Sequence, residues 1–201
     1  MRLDTRTSLI FSTLAAAFVT AVPQSLAQEA PDQSVFFFGG RYSSDYFEFA
    51  LNPFTTTYEN NFVGGVGYQS FFWGEDGGFK LGAEAGAAFR TGNQSSAELW
   101  GGAVARADRF IQTDQFAVSA SLTLGLSVTT DTIGIEAQRE RDEGGNSTLL
   151  YYLGPEISLS LPGASNTEVF WRLHHRSGGW KTLGNMRDGA NATAIGIRWS
   201  F

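Results

Sequence analysis

The sequence predicts an all-β protein, an eight-stranded antiparallel transmembrane β-barrel with a packed interior. Run after run alternates apolar and polar residues, which is the period of a strand with two different faces. The chain contains 24 Gly and 17 Phe but only 17% charged residues. After the N-terminal segment, no apolar run is as long as a membrane-spanning helix requires. This composition is typical of a bacterial outer-membrane β-barrel, and a secreted soluble β-sandwich is the alternative.

The first 27 residues have the pattern of a secretory signal peptide. Arg2 and Arg6 precede an apolar run, and Ser25-Leu26-Ala27 is a small-x-small cleavage sequence. We expect cleavage after Ala27, which leaves residues 28–201 as a single barrel domain. A short anchor helix is the alternative, but the run is short for a span and Pro23 follows it.

The composition argues against several kinds of function. A net charge of −6 without a basic cluster argues against nucleic acid as a partner. The chain has no Cys, so it has neither disulfides nor thiolate chemistry. Its two histidines, His174 and His175, are adjacent and therefore point to opposite faces of a strand, which disfavours a histidine metal site. We expect no metal and no other cofactor.

Eight strand candidates follow one another along the chain. Most are near the ~9–11 residues that a tilted strand needs to cross a bilayer, and some are longer. An even number of strands suits a closed bacterial barrel with both chain ends in the periplasm. The predicted strands are Ser34–Ser43, Tyr58–Trp73, Gly78–Arg90, Ser95–Arg109, Phe116–Thr130, Ser147–Leu161, Glu168–Ser177 and Asn191–Phe201.

The connections alternate between short and long. If the odd-numbered strands run outward, the long connections lie outside the cell, as is usual for outer-membrane barrels. Thr91–Gln94 is the exception, a short connection where a long one is expected. The long connections are Asp45–Thr57, Thr130–Asn146 and Gly178–Ala190.

Six charged side chains fall on the face opposite the most apolar face of their strands. A small barrel has an interior filled by side chains, and charges buried there must pair. We therefore predict a structural ion network inside the barrel rather than a catalytic role for these residues. They are Glu84, Glu98, Glu156, Arg106, Arg172 and Arg198.

The seventh predicted strand places a histidine and a serine on one face. Trp171, Leu173, His175 and Ser177 are spaced two apart and therefore point the same way. If this strand runs outward, His175 and Ser177 lie at the depth of the outer leaflet. A serine becomes a good nucleophile when a base takes its proton, and a third group must fix the tautomer of that base. The structural alternative is an interfacial anchor at His175 and a strand-end residue at Ser177.

Two segments near the end of the chain are Leu173-His174-His175-Arg176-Ser177-Gly178, followed by a Gly/Asn-rich loop, and the closing Gly196-Ile-Arg-Trp-Ser-Phe201. Together they resemble the lipid A 3-O-deacylase (PagL-like) family of acyloxyacyl hydrolases. The resemblance covers essentially the mature chain, and Gly39-Gly40-Arg41-Tyr42, Asn52-Pro53-Phe54 and Glu84-Ala85-Gly86 also contribute to it. It implies an eight-stranded barrel whose membrane-facing serine and histidine hydrolyse the ester at position 3 of lipid A, without a metal.

The resemblance also implies roles for individual residues. Ser177 matches the nucleophile and His175 matches the base. The third residue of the catalytic triad in that family is an acid, usually Glu. This chain has Gly189 near that position, and the neighbouring Asp188 is the candidate acid. Family members often have Asn after the serine, whereas this chain has Gly178-Gly179, whose backbone N–H groups would stabilise the oxyanion.

Two functions from different classes follow. The first is a metal-independent serine hydrolase, a carboxylic ester hydrolase that acts on the lipid A of lipopolysaccharide in the outer leaflet. The second is a non-catalytic barrel, an adhesin or a structural porin-like protein whose loops carry the function. An acid within reach of His175 favours the enzyme. Both functions place the chain in the bacterial outer membrane, and the terminal Phe201 resembles the aromatic end of an insertion signal. The sequence leaves open whether the protein forms a homodimer.

Overall fold

The structure is a computed structural model that describes residues 33–161 and 166–201. The predicted signal peptide, residues 1–27, lies outside the described residues. All eight predicted strands are present, with ends within a few residues of the predicted ones. The strands are β1 Gln33–Ser43, β2 Tyr58–Gly74, β3 Phe79–Thr91, β4 Ser96–Gln112, β5 Ala117–Thr129, β6 Leu149–Ser160, β7 Thr167–Ser177 and β8 Ala190–Ser200.

The sheet closes on itself. Each strand pairs antiparallel with its neighbours in the chain, and β1 pairs antiparallel with β8. The closing register places Phe36 opposite Arg198 and Gly39 opposite Ile195. Closure leaves no sheet edge whose backbone N–H and C=O groups would meet lipid unpaired. The predicted fold class is confirmed.

The connections at the two ends of the barrel differ in length. Residues 75–78 and 113–116 form short turns at one end. At the other end, longer connections of residues 44–57, 130–148 and 178–189 follow β1, β5 and β7, as the alternation predicted. We refer to this end as the long-loop end, and barrels of this class present it to the cell exterior.

Two helices that the strand pattern did not predict lie in these loops. Helix α1, Phe47–Ala50, is a single turn, and helix α2, Gly134–Glu143, is built from the good helix formers Glu, Gln, Ala and Arg. Gly144 ends α2 with a φ of 62°, a left-handed conformation that favours glycine. Within the described residues, no helix is long and apolar enough to cross a membrane.

Aromatic rings and ion pairs fill the interior. Phe36, Phe38, Trp100, Tyr152 and Phe170 belong to the buried core cluster. The six charged side chains that were predicted to point inward are all buried, and each takes part in at least one ion pair. The predicted internal ion network is therefore confirmed.

Helix α2 extends this network to the long-loop end. Its Glu136 is fully buried, with Oε2 2.5 Å from Nη2 of Arg90, and it also pairs with Arg176. A loop helix thus supplies a carboxylate that pairs with two inward-pointing arginines at the mouth of the barrel, and Glu98 pairs with the same two.

The outer face of the strands is apolar. Phe37, Leu124, Ile157 and Ile197 are among the large apolar side chains that are mostly exposed. A continuous apolar outer surface of this extent is unfavourable in water and matches the hydrocarbon core of a bilayer. The barrel therefore presents a lipid-compatible outer face around a polar, ion-paired interior.

Candidate functional site

The two adjacent histidines of β7 point to opposite sides of the barrel wall, as expected. His174 is fully buried in the interior, where Nδ1 lies 3.0 Å from the Tyr152 hydroxyl and Nε2 lies 2.9 Å from Oε1 of Glu98. Both ring nitrogens are therefore engaged in the core. This arrangement gives His174 a structural role.

His175 points outward but is not open to lipid. Lower on the same face of β7, Val169 is 50% exposed, whereas Leu173 is 0% exposed and His175 only 6%. The connection after β1 folds back over the rim, where α1 packs against β8 and the Phe47 ring lies 4.6 Å from the His175 ring. The expectation of a freely lipid-facing histidine was wrong, because a long-range contact from the first loop covers it.

Asn191 holds the His175 ring in a defined orientation. It is the register partner of His175 on β8, and its Oδ1 lies 2.5 Å from His175 Nδ1. The Asn191 amide nitrogen donates to the Asp45 carbonyl at 2.9 Å and to Asp188 Oδ2 at 3.1 Å. These two acceptors fix the amide orientation, so the oxygen faces His175 and accepts a hydrogen bond from the Nδ1–H group. The other ring nitrogen, Nε2, is then the basic one.

Asp188, the acid selected from the sequence, lies in the same cluster. Its carboxylate is buried, with Oδ2 bound to Asn191 and 3.3 Å from Nη1 of Arg139. The other oxygen, Oδ1, lies 3.6 Å from His175 Nδ1 and has no hydrogen-bond partner among the described residues. Asp188 therefore acts on His175 by charge at close range and through Asn191 by hydrogen bonding.

Ser177 lies two residues beyond His175 and on the same face of β7, but its hydroxyl is engaged elsewhere. Oγ donates to the Arg187 carbonyl at 3.1 Å and accepts from the Gly179 N–H at 3.0 Å. Within the described part of the chain, no hydrogen bond joins Ser177 to His175. The Ser177 hydroxyl is thus held by the loop that follows β7 rather than by the imidazole.

Gly178 and Gly179 have structural reasons to be glycine. A Cβ at Gly178 would overlap the Met186 carbonyl oxygen, and Gly179 has a φ of 58°. The Gly179 N–H is bonded to Ser177 Oγ, so it becomes available to another acceptor only when that hydroxyl turns away.

Sequence reasoning did not identify Asn191, Phe47, Asp45 or Arg139 as parts of this cluster. A signal existed for Asn191 alone, because it is the second residue of a strand whose other outward residues include Ile195 and Ile197. An amide on a lipid-facing position requires a partner. The other three come from loops far away in the sequence.

Among comparisons with known proteins, the one solved structure below with a TM-score above 0.5 supports the fold. No protein-family model and no curated protein matches this sequence. Among solved structures, the outer membrane enzyme PagL superposes with a TM-score of 0.54 at 13% identity, over 83% of this chain and 98% of that one. The N-terminal β-barrel domain of Pseudomonas aeruginosa OprF gives 0.48 at 12% identity, over 87% and 100% of the two chains. Neisserial surface protein A gives 0.48 at 12%, over 85% and 96%.

The closed eight-stranded sheet, the apolar outer face and the ion-paired interior define the class of this protein. It is a small β-barrel of the bacterial outer membrane.

Proposed function

We propose that this barrel is an esterase that removes an ester-linked acyl chain from lipid A. The observation that carries the proposal is the fixed imidazole of His175. Its Nδ1 is bound by Asn191 beside the Asp188 carboxylate, which leaves Nε2 as a base on the face that also carries Ser177. The substrate class rests on the resemblance of the segment from Leu173 to Gly178 and of the closing strand to lipid A deacylases.

The chemistry begins with rotation of Ser177. Its hydroxyl leaves the Arg187 carbonyl and turns toward His175 Nε2, which takes the proton as Oγ attacks the ester carbonyl carbon. The same rotation releases the Gly179 N–H, which together with that of Gly178 can donate to the oxyanion. The tetrahedral intermediate collapses when His175 returns the proton to the departing sugar oxygen.

The second half of the reaction regenerates the serine. The acyl group is then bound to Ser177 as an ester, and His175 removes a proton from a water molecule that attacks its carbonyl carbon. Collapse returns the proton to Ser177 Oγ and releases the fatty acid. Asn191 and Asp188 stabilise the imidazolium that forms in each half and keep its Nδ1 protonated.

Access to the site requires movement of the first loop. Phe47 covers the imidazole, so a lipid ester that diffuses laterally in the outer leaflet reaches His175 only when α1 shifts. Loop opening of this kind is common in enzymes that exclude water until the substrate is bound.

The experiment is mass spectrometry of lipid A from cells that express each variant. Ser177→Ala and His175→Ala are expected to abolish the loss of an acyl chain that the natural protein causes, and Asp188→Ala to reduce it by a smaller factor. Ser95→Ala, an exposed serine at the same end of the barrel, is the matched control. All variants must show the heat-modifiable gel migration of a folded barrel. Undiminished deacylation by Ser177→Ala would refute the mechanism.

A non-catalytic barrel is the second candidate function. The observation that favours it is the engagement of Ser177 Oγ by Gly179 and Arg187, which is a structural role in closing the loop. In that case the natural protein leaves the mass of lipid A unchanged, and the loops at the long-loop end bind an external partner.

A further inference from the structure

Arg41 carries a charge on the outward face of β1, where the neighbouring outward residues are Phe37 and Gly39. It is exposed, and none of the ion pairs between described residues includes it. The nearest acid along the facing strand, Glu59, has its carboxylate bound to the Asn61 amide at 2.6 Å and to the Ile135 N–H at 3.1 Å. A lone arginine on a lipid-facing surface is costly except at headgroup depth, where an anion can neutralise it.

Arg41 lies close to the depth of the candidate site. Arg41 is the register partner of Thr193 on β8, and Thr193 is the partner of Leu173 on β7. His175 lies two residues farther along β7 toward the long-loop end. With strands about 4.8 Å apart and about 3.3 Å of rise per residue, the Cα atoms of Arg41 and His175 are separated by roughly 12 Å.

The guanidinium of Arg41 is held in place but not saturated. The register of β1 and β2 shifts at this point. Arg41 pairs with Phe62 and Ser43 pairs with Tyr58, so three residues of β2 lie opposite a single residue of β1. The shift brings the Glu59 carbonyl to 2.7 Å from Arg41 Nε, while the rings of Tyr58 and Phe62 lie 5.5 and 5.7 Å from the guanidinium carbon. The Nε donor is used, and neither Nη group donates a hydrogen bond to a described residue. A fixed planar fork of this kind matches a phosphate group.

We propose that Arg41 binds a phosphate monoester of the outer-leaflet glycolipid and positions that lipid beside His175. The proposal deepens the proposed function, since the phosphate belongs to the lipid whose ester the site would cleave. Lipid A carries phosphate monoesters on its sugar backbone, close to its acylated positions. One ligand of this chemistry neutralises Arg41 and places an acyl ester at the edge of the loop that covers His175.

The test measures binding without turnover. Detergent-solubilised Ser177→Ala protein is mixed with bisphosphorylated lipid A, with dephosphorylated lipid A, or with inorganic phosphate, and the bound molecules are quantified by native mass spectrometry. We expect phosphorylated lipid A to bind, and Arg41→Gln to weaken that binding about tenfold or more, on the scale of lost charge-assisted hydrogen bonds. Arg41→Lys keeps the charge without the fork and should fall between the two. Dephosphorylated lipid A should bind equally weakly to all three proteins.

The matched control is Arg141→Gln, which removes an exposed arginine from α2 at the same end of the barrel. It should bind phosphorylated lipid A as the parent protein does. Unchanged binding by Arg41→Gln, an equal loss in Arg141→Gln, or an equal loss for dephosphorylated lipid A would each overturn the assignment. If inorganic phosphate bound and lipid A did not, the ligand of Arg41 would be a free anion and the proposal of a lipid would be wrong. If the protein bound lipid A through its phosphate but never deacylated it, the phosphate site at Arg41 would stand and the esterase function would be refuted.

Discussion

Removal of the Arg172 guanidinium is the sharpest test of the barrel interior. Arg172 is fully buried and makes a two-pronged contact with Glu84, with Nη1 to Oε1 at 2.7 Å and Nη2 to Oε2 at 2.8 Å. It also lies 2.7 Å from Oε2 of Glu156. Its guanidinium carbon is 4.7 Å from the centre of the Phe36 ring. In Arg172→Met, two buried carboxylates lose this cation.

The two carboxylates are not affected equally. Glu156 keeps Arg198, whose Nη1 lies 2.7 Å from Oε1. Glu84 keeps only neutral donors, from Gln69 at 2.6 Å, Trp100 at 2.8 Å and Thr123 at 3.0 Å. One uncompensated buried charge therefore remains, and we expect the free energy of unfolding to fall by about 3–5 kcal/mol.

Two further variants test this explanation. Arg198→Met should cost less, about 1–3 kcal/mol, because its partners Glu156 and Glu168 each retain another arginine. Arg172→Met combined with Glu84→Gln should recover at least about 1 kcal/mol, since the stranded charge is removed while the neutral donors keep an acceptor.

The assay is urea unfolding of the barrel in detergent or lipid vesicles, followed by the difference in gel migration between folded and boiled protein. Arg141→Met, which changes an exposed arginine of α2, is the control and should unfold at the same urea concentration as the natural protein. An unchanged midpoint in Arg172→Met would refute the reasoning, as would a larger loss in Arg198→Met than in Arg172→Met.

Three other predictions concern the site and the assembly of the barrel. Asn191→Leu removes the acceptor of His175 Nδ1 and should lower lipid A deacylation by at least about a hundredfold in a folded barrel, and an unchanged rate would exclude Asn191 from the mechanism. Phe47→Ala should speed the modification of His175 by diethyl pyrocarbonate, measured by peptide mass spectrometry, because the Phe47 ring covers the imidazole. Phe54→Ala, which changes an exposed residue of the same loop, should leave the rate unchanged. Equal rates in the two variants would show that Phe47 does not cover the ring. Deletion of Phe201 should reduce the amount of heat-modifiable protein in the outer membrane, and normal assembly without it would contradict its role as an insertion signal.

The eight strands and the direction of most side chains followed from the sequence because they depend on local alternation. Successive side chains of a strand point to opposite faces. The alternation of apolar and polar residues in a segment such as the last strand therefore shows which residues face the interior and which face outward. Arg172 and Arg198 were placed inside on this basis, and both are buried there. The same alternation predicted that the adjacent His174 and His175 point to opposite sides of the barrel wall.

The candidate site could be predicted only in part, for a physical reason. Ser177, His175 and Asp188 are close in sequence, so reasoning from the sequence could select them together as candidates. The environment of His175, however, comes from Asp45 and Phe47, more than a hundred residues earlier, and from Asn191 across the register of two strands. No local period encodes such contacts.

By itself, therefore, the sequence determined a barrel with two distinct faces and its strand positions, and it offered Ser177, His175 and Asp188 as candidates for a serine esterase. Tertiary structure alone decided that the outward histidine is covered, that an asparagine rather than a carboxylate binds its Nδ1, and that Ser177 is turned away from it. Strand formation and side-chain direction follow from each residue and its immediate neighbours. Burial, hydrogen-bond partners and rotamers depend on which distant segments the closed barrel brings together.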